Sequence, residues 1–142
     1  VDAPIQIPEE YVPDLDLRMG LYRRLNDLED AHAIEAFAAE LIDRFGKIPA
    51  ATQNLLTLIQ IKQNCVTAGI SRLDVGAKGA LVTFHNDSFT NPAGLIDYVQ
   101  RLQGSAKLRP DNKLVIIRAW KDGAARLHAG LQLSRGLAKV AG

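Results

Sequence analysis

The chain has 142 residues, 47% of them hydrophobic and 23% charged, with seventeen Lys and Arg against sixteen Asp and Glu. That is the length and apolar content of one ordinary domain with a buried core, and the near-zero net charge gives no reason to expect a strong, sequence-independent grip on nucleic acid. One cysteine, Cys65, excludes an internal disulfide and fits a reducing compartment, while the absence of any membrane-length apolar run or signal-peptide pattern predicts a cytoplasmic chain with no membrane partner.

Val1 to Pro13 carries Pro4, Pro8 and Pro13, each of which removes a backbone donor and favours extended structure before it. With no initiator Met, this stretch reads as a linker leading out of something larger, so the sequence is expected to be a fragment. Asp14 suits an N-cap, and Leu17, Leu21, Leu25 and Leu28 follow at helical spacing. A second helix is expected after Asp30, with Ile34, Phe37, Ala38, Leu41, Ile42 and Phe45 as its apolar stripe. Gly46 supplies a left-handed stop, and Pro49 can sit in the first turn of a third helix. That helix should run to about Ala68 and end at Gly69. Leu55, Leu56, Leu58, Ile59, Ile61, Cys65 and Val66 cover well over half its circumference, which marks a central buried helix.

The period then changes. Arg72 to Val75 and Ala80 to His85 are rich in strand formers and read as a hairpin turning across Ala77-Lys78-Gly79. Asn91 and Pro92 open a fourth helix with Leu95, Ile96, Val99 and Leu102 facing inward. A second strand pair, Lys107 to Arg109 and Leu114 to Arg118, turns at Pro110-Asp111-Asn112. A long helix from about Asp122 closes the chain. The expected architecture is α+β: three N-terminal helices, a small antiparallel sheet from two hairpins with an intervening helix, and a long C-terminal helix.

Few residues offer chemistry. No G-x-x-x-x-G-K-[ST] loop is present to cradle phosphates, and Gly76 and Gly79 belong to a turn. His32, His85 and His128 fall on three separate elements, so no metal site is expected. Cys65 with His85 or His128 would suit a thiol nucleophile and its base, but on an apolar helix face a thiol acts as a small hydrophobe. Asp14 and Asp16 fit helix-start roles and Asp111 a turn. No catalytic, cofactor-binding or metal-ligating residue is therefore assigned, and no cofactor is expected.

Two surface features remain. His128, Gln132, Arg135 and Lys139 recur at i, i+4, i+7 and i+11 on the last helix, a stripe that would touch phosphate or an acidic partner or simply be a solvated face. On the second helix Glu40, Asp43 and Arg44 project together opposite Leu41, Ile42 and Phe45, beside the small Ala36 and Ala39. Spacing alone leaves open whether this trio docks a partner or is an ordinary exposed face with an internal Glu–Arg pair.

Four ordered segments carry a resemblance. PEEYVPDLDLRMGLYRRL (residues 8–25), AELIDRFGKIPAATQNLL (39–56), GI-x-RLD (69–74) and NPAGLI (91–96) resemble the C-terminal part of bacterial transcription-repair coupling factors, with the first seven residues and the last helix matching least. Members of that family are large ATP-dependent DNA translocases that displace stalled RNA polymerase and recruit nucleotide excision repair. The resemblance implies that residues 1–13 are a linker from the preceding motor region and 14–142 a C-terminal regulatory domain, not an enzyme by itself. Such a domain is expected to clamp on the N-terminal UvrB-like module of the same protein, autoinhibiting it by masking its surface for the damage-recognition ATPase UvrA. The ELIDRFG run places the clamp contacts at Glu40, Asp43 and Arg44, with Leu41, Ile42 and Phe45 on the core side. RNA polymerase, DNA and UvrA are implied as partners of the full-length protein. The alternative is an accessory DNA-contacting domain that uses Arg126, Arg135 and Lys139 of the last helix.

Overall fold

The computed structural model describes residues 4–102 and 104–141. Its chain order is α1 (Leu15–Asn26), α2 (Ala31–Phe45), α3 (Ala50–Ala68), β1 (Ile70–Gly76), β2 (Gly79–Phe84), α4 (Pro92–Arg101), β3 (Ala106–Leu108), β4 (Leu114–Ile117) and α5 (Gly123–Ala141). The fold is α+β, as the sequence predicts. Two compact units meet in sequence between Gln63 and Asn64, within α3.

In the first unit the helix starts follow from side-chain caps. Asp14 accepts from the Leu17 N–H at 3.0 Å and Asp30 from the Ala33 N–H at 2.8 Å, each satisfying an amide that has no intrahelical partner. Gly46 closes α2 with φ +89° and ψ −161°, a glycine-only conformation distinct from the left-handed helical cap the sequence suggests. The core gathers Leu21 and Leu25 of α1, Ile34, Phe37 and Leu41 of α2, and Leu56 and Ile59 of α3. Two residues of the proline-rich segment join it: Ile7 and Val12 are buried, a gain of roughly 1.5–3 kcal/mol each. The described residues of this segment form no helix or strand but are tied down. The Ile7 N–H donates to Tyr22 Oη at 2.7 Å, and the fully buried Thr52 donates its hydroxyl to Gln6 O at 2.9 Å.

In the second unit four antiparallel strands stand in the order β1-β2-β4-β3. Alternation along β2 and β4 sends Ala80, Val82, Phe84, Leu114 and Ile116 to one face, where they meet Leu95 of α4 and Leu133 and Leu137 of α5. Gly79 pairs with Ile117, and a side chain there would overlap the Ile116 carbonyl, so the close approach of β2 to β4 requires glycine. Helix α4 starts at Asn91, whose side chain accepts from the Gly94 N–H at 3.1 Å and donates to Val140 O at 3.0 Å. Asp122 caps α5 through the Ala125 N–H at 2.8 Å. Gly136 on α5 leaves room for the Tyr98 ring of α4.

Several sequence expectations change here. β1 begins two residues earlier than expected, through an irregular register between Ile70 and Arg72. His85 leaves the strand for a short 3-10 turn, His85–Asp87. Ile42, Val66 and Ile96 are exposed, at 55%, 82% and 52%, where inward positions were expected. On α2 the buried line is Ile34, Phe37 and Leu41, and Ile42 is turned by about 100° from Leu41.

Candidate functional site

The expected trio lies in the first unit, on the last turns of α2. Its centre is Glu40. Arg24, in the last turn of α1, forks onto both carboxylate oxygens, Nη1 to Oε2 at 2.6 Å and Nη2 to Oε1 at 2.7 Å. Arg44, one turn along α2, adds Nη1 to Oε2 at 2.9 Å. Two guanidiniums thus share one carboxylate. Each also lies over a ring, Arg24 over Phe37 and Arg44 over Phe45, with the guanidinium carbon 5.1 Å from the centroid in both cases.

The hydrogen bonds from Arg24 and then Arg44 hold the Glu40 carboxyl down at about 2, below its ordinary 4.5, against the opposing effect of partial burial. The same Arg24–Glu40 hydrogen bond pushes the Arg24 guanidinium up. Glu40 is therefore ionised at any physiological pH. Its side chain keeps 34% of its surface exposed, so solvent screens the network and its net worth is on the order of 1 kcal/mol.

Asp43 is different. It is exposed and, among the described residues, has no ion-pair partner. At 100° per residue it points away from the buried line of α2, while Glu40 and Arg44 occupy the flank next to α1. The structure brings Glu40 and Arg44 together and leaves Asp43 as an open acceptor beside them. Ile42, expected on the core side, is exposed as well, but two residues from both Glu40 and Arg44 it lies on the other flank of α2.

Arg24 is the participant that sequence reasoning missed. Sixteen residues separate it from Glu40, beyond the reach of any single-helix spacing rule. Its only signal was the Arg23-Arg24 pair in the last turn of a helix joined to the next by a short connection. Tyr11 was missed as well. Its hydroxyl donates to Leu41 O at 3.1 Å and Gly46 O at 2.8 Å, and its ring tilts against Phe45 with centroids 5.7 Å apart. Burial pushes that phenol up, in keeping with a proton committed to two carbonyls. The end of α2 that carries the trio is thus pinned by the segment preceding α1.

The other candidates lie in the second unit or on separate elements. Cys65 packs half-buried against the second core and burial pushes its thiol up, the reverse of an activated nucleophile. Among the described residues no three His, Cys, Asp or Glu side chains gather as a metal site, and no helix is long and apolar enough to cross a membrane. His128, Gln132, Arg135 and Lys139 are exposed on α5, with the His128 and Gln132 side chains 3.2 Å apart. Arg126 is turned back instead, its Nε donating to Trp120 O at 3.2 Å. Charge is also divided unevenly. Residues 1–63 hold six Lys and Arg and eleven Asp and Glu, a net of −5, whereas residues 64–142 hold eleven and five, a net of +6.

Residues 1–95 match the family model described as the TRCF domain. The transcription-repair-coupling factor of Rickettsia bellii is 39% identical over 112 residues, covering 79% of this chain and 10% of that protein. Its Escherichia coli counterpart is 28% identical over 134 residues, covering 94% of this chain and 12% of that protein. The chain thus spans about a tenth of the length of the curated relatives it matches. A crystal structure of the C-terminal domain of a transcription-repair coupling factor shares the fold, with a TM-score of 0.78 at 16% identity over 99% of this chain and 90% of that one.

Proposed function

Because the chain belongs to the TRCF domain family, we propose that it is the C-terminal regulatory domain of a transcription-repair coupling factor and restrains that protein by an intramolecular clamp. Residues 14–142 form the regulatory part and 1–13 join it to a preceding motor. The domain carries no catalysis itself. The full-length protein would be an ATP-dependent DNA translocase that displaces stalled RNA polymerase and recruits excision repair from the cytoplasm. The clamp closes on the N-terminal UvrB-like module and masks its UvrA-binding surface.

The observation that supports this reading is the Arg24–Glu40–Arg44 cluster with Asp43 open beside it. Glu40 already binds two guanidiniums, so it acts by holding them in place. Arg24 and Arg44 keep N–H donors to spare for a partner carboxylate, and Asp43 accepts from a partner arginine. A surface that offers both signs selects a partner with the complementary arrangement. Contacts of this kind close a state by a few kcal/mol and yield to a better partner, as a switch requires.

The test is a titration of this domain against the separately expressed N-terminal module, with Glu40→Ala/Asp43→Ala/Arg44→Ala as control. Binding that disappears in the triple variant is the expected outcome. Binding that survives it moves the contact to another surface. If neither binds in trans, the substitutions are made in the full-length protein, where tethering raises the effective concentration. Basal UvrA binding and ATPase rate should then rise, and unchanged values for both would remove the clamp.

A further inference from the structure

A half-open cavity of about 280 Å³ lies entirely within the second unit. Leu133 of α5 lines its apolar side, Tyr98 of α4 and Trp120 supply aromatic walls, and Arg118, His128 and Gln132 supply its polar lining. The Tyr98 ring rests on Gly136, where even a methyl group would come within 2.9 Å of it. The main chain beneath these side chains is tied down: the backbone N–H of Trp120 donates to Ala77 O at 3.0 Å and that of Arg118 to Lys78 O at 3.2 Å. No carboxylate is among the described lining residues.

The cavity continues into a cationic surface. Helix α5 contains no Asp or Glu, and its exposed face carries Arg135 and Lys139 onward from His128 and Gln132. At 1.5 Å per residue this row extends about 16 Å. Arg118, Arg135 and Lys139 have no ion-pair partner among the described residues, whereas Asp74, Asp97 and Asp111 are each paired to a nearby arginine. Three of the positive charges of residues 64–142, on Arg118, Arg135 and Lys139, are therefore available at or beside the cavity.

We propose that this cavity and the adjoining face of α5 bind single-stranded nucleic acid, with one unstacked base against Trp120 and Tyr98 and the phosphates passing Arg118, Arg135 and Lys139. Aromatic walls accept any base by stacking, and a row of unpaired cations follows a chain with one anion per unit. A duplex keeps its bases stacked and has none to insert. This site is separate from the clamp surface on α2 and does not rest on that reading.

Trp120 is the only tryptophan, so its emission reports occupancy of the cavity directly. The 142-residue chain is titrated with a short oligothymidylate, an oligouridylate, a duplex of matched length, and an acidic peptide containing an aromatic residue. The expected result is quenching by the single strands and not by the duplex or the peptide. Equal affinity for the two single strands assigns the site to their shared base-and-phosphate chemistry, and preference for one identifies the source. Three phosphate contacts on a single strand give a slope of log K against log salt of about −2, so affinity falls about 20-fold from about 50 to about 200 mM salt. Arg118→Glu and the pair Arg135→Glu/Lys139→Glu, all at exposed positions, should each weaken binding at least about tenfold and flatten that slope. Absence of quenching at the lowest salt, quenching by the peptide alone, or quenching indifferent to these substitutions overturns the proposal.

Discussion

Removing the Arg24–Glu40 fork measures how much the cluster organises itself before any partner arrives. Arg24→Ala, Glu40→Ala and the double variant form a thermodynamic cycle that isolates the pair from the other contacts of each residue. The two side chains are 47% and 34% exposed, which places the pair among those worth about 0.2–1 kcal/mol. Bidentate geometry at 2.6 and 2.7 Å and the Phe37 ring beneath Arg24 move it to the upper end, about 1 kcal/mol. Urea denaturation followed by circular dichroism gives the coupling, with a second probe to check that the two compact units unfold together. The pH dependence fixes the sign. Glu40 has a folded-state value depressed from 4.5 to about 2, so its contribution is complete above 4.5 and disappears as pH falls towards 2. A coupling below about 0.3 kcal/mol at neutral pH, or one that persists unchanged across that acid window, would refute the account.

Two further substitutions test how the helices are seated. Gly136→Ala places a methyl group 2.9 Å from Tyr98 Cε1 and 3.0 Å from its hydroxyl, and should lower stability by about 1–3 kcal/mol in a thermal melt; an unchanged Tm would mean that α4 and α5 are less tightly packed than described. Tyr11→Phe keeps the ring against Phe45 but leaves Leu41 O and Gly46 O without their donor, and should cost about 1–2 kcal/mol in urea midpoints, with no change if water substitutes freely.

Much of the fold was legible because caps and turns are local chemistry. Asp14, Asp30, Asn91 and Asp122 each accept the amide that their sequence positions suggested, and the second hairpin turns where Asn112 adopts φ +67°. Burial was read less well. Ile42, Val66 and Ile96 are apolar residues on amphipathic helices, and residue type alone does not say which edge of the apolar stripe meets a neighbour. The trio on α2 was half legible. Glu40 and Arg44 are one turn apart and pair as that spacing implies, but Arg24 enters only through the packing of two helices. The uneven charge was present in the sequence throughout and vanished in the total, because an acidic first part and a basic second part cancel to +1.

Asn91 shows how narrow the choice of residue becomes when one side chain serves two helices. As a cap for α4 alone, its carbonyl oxygen could be replaced by that of Asp or by a Ser hydroxyl at little cost. The amide nitrogen is committed elsewhere, donating to Val140 O in the last turn of α5, and Asp has no donor to offer there. Ser is too short to do both. Each of the usual capping exchanges at position 91 should therefore give up one of the two bonds, at about 0.5–1.5 kcal/mol, and asparagine should be preferred there among variants selected for stability.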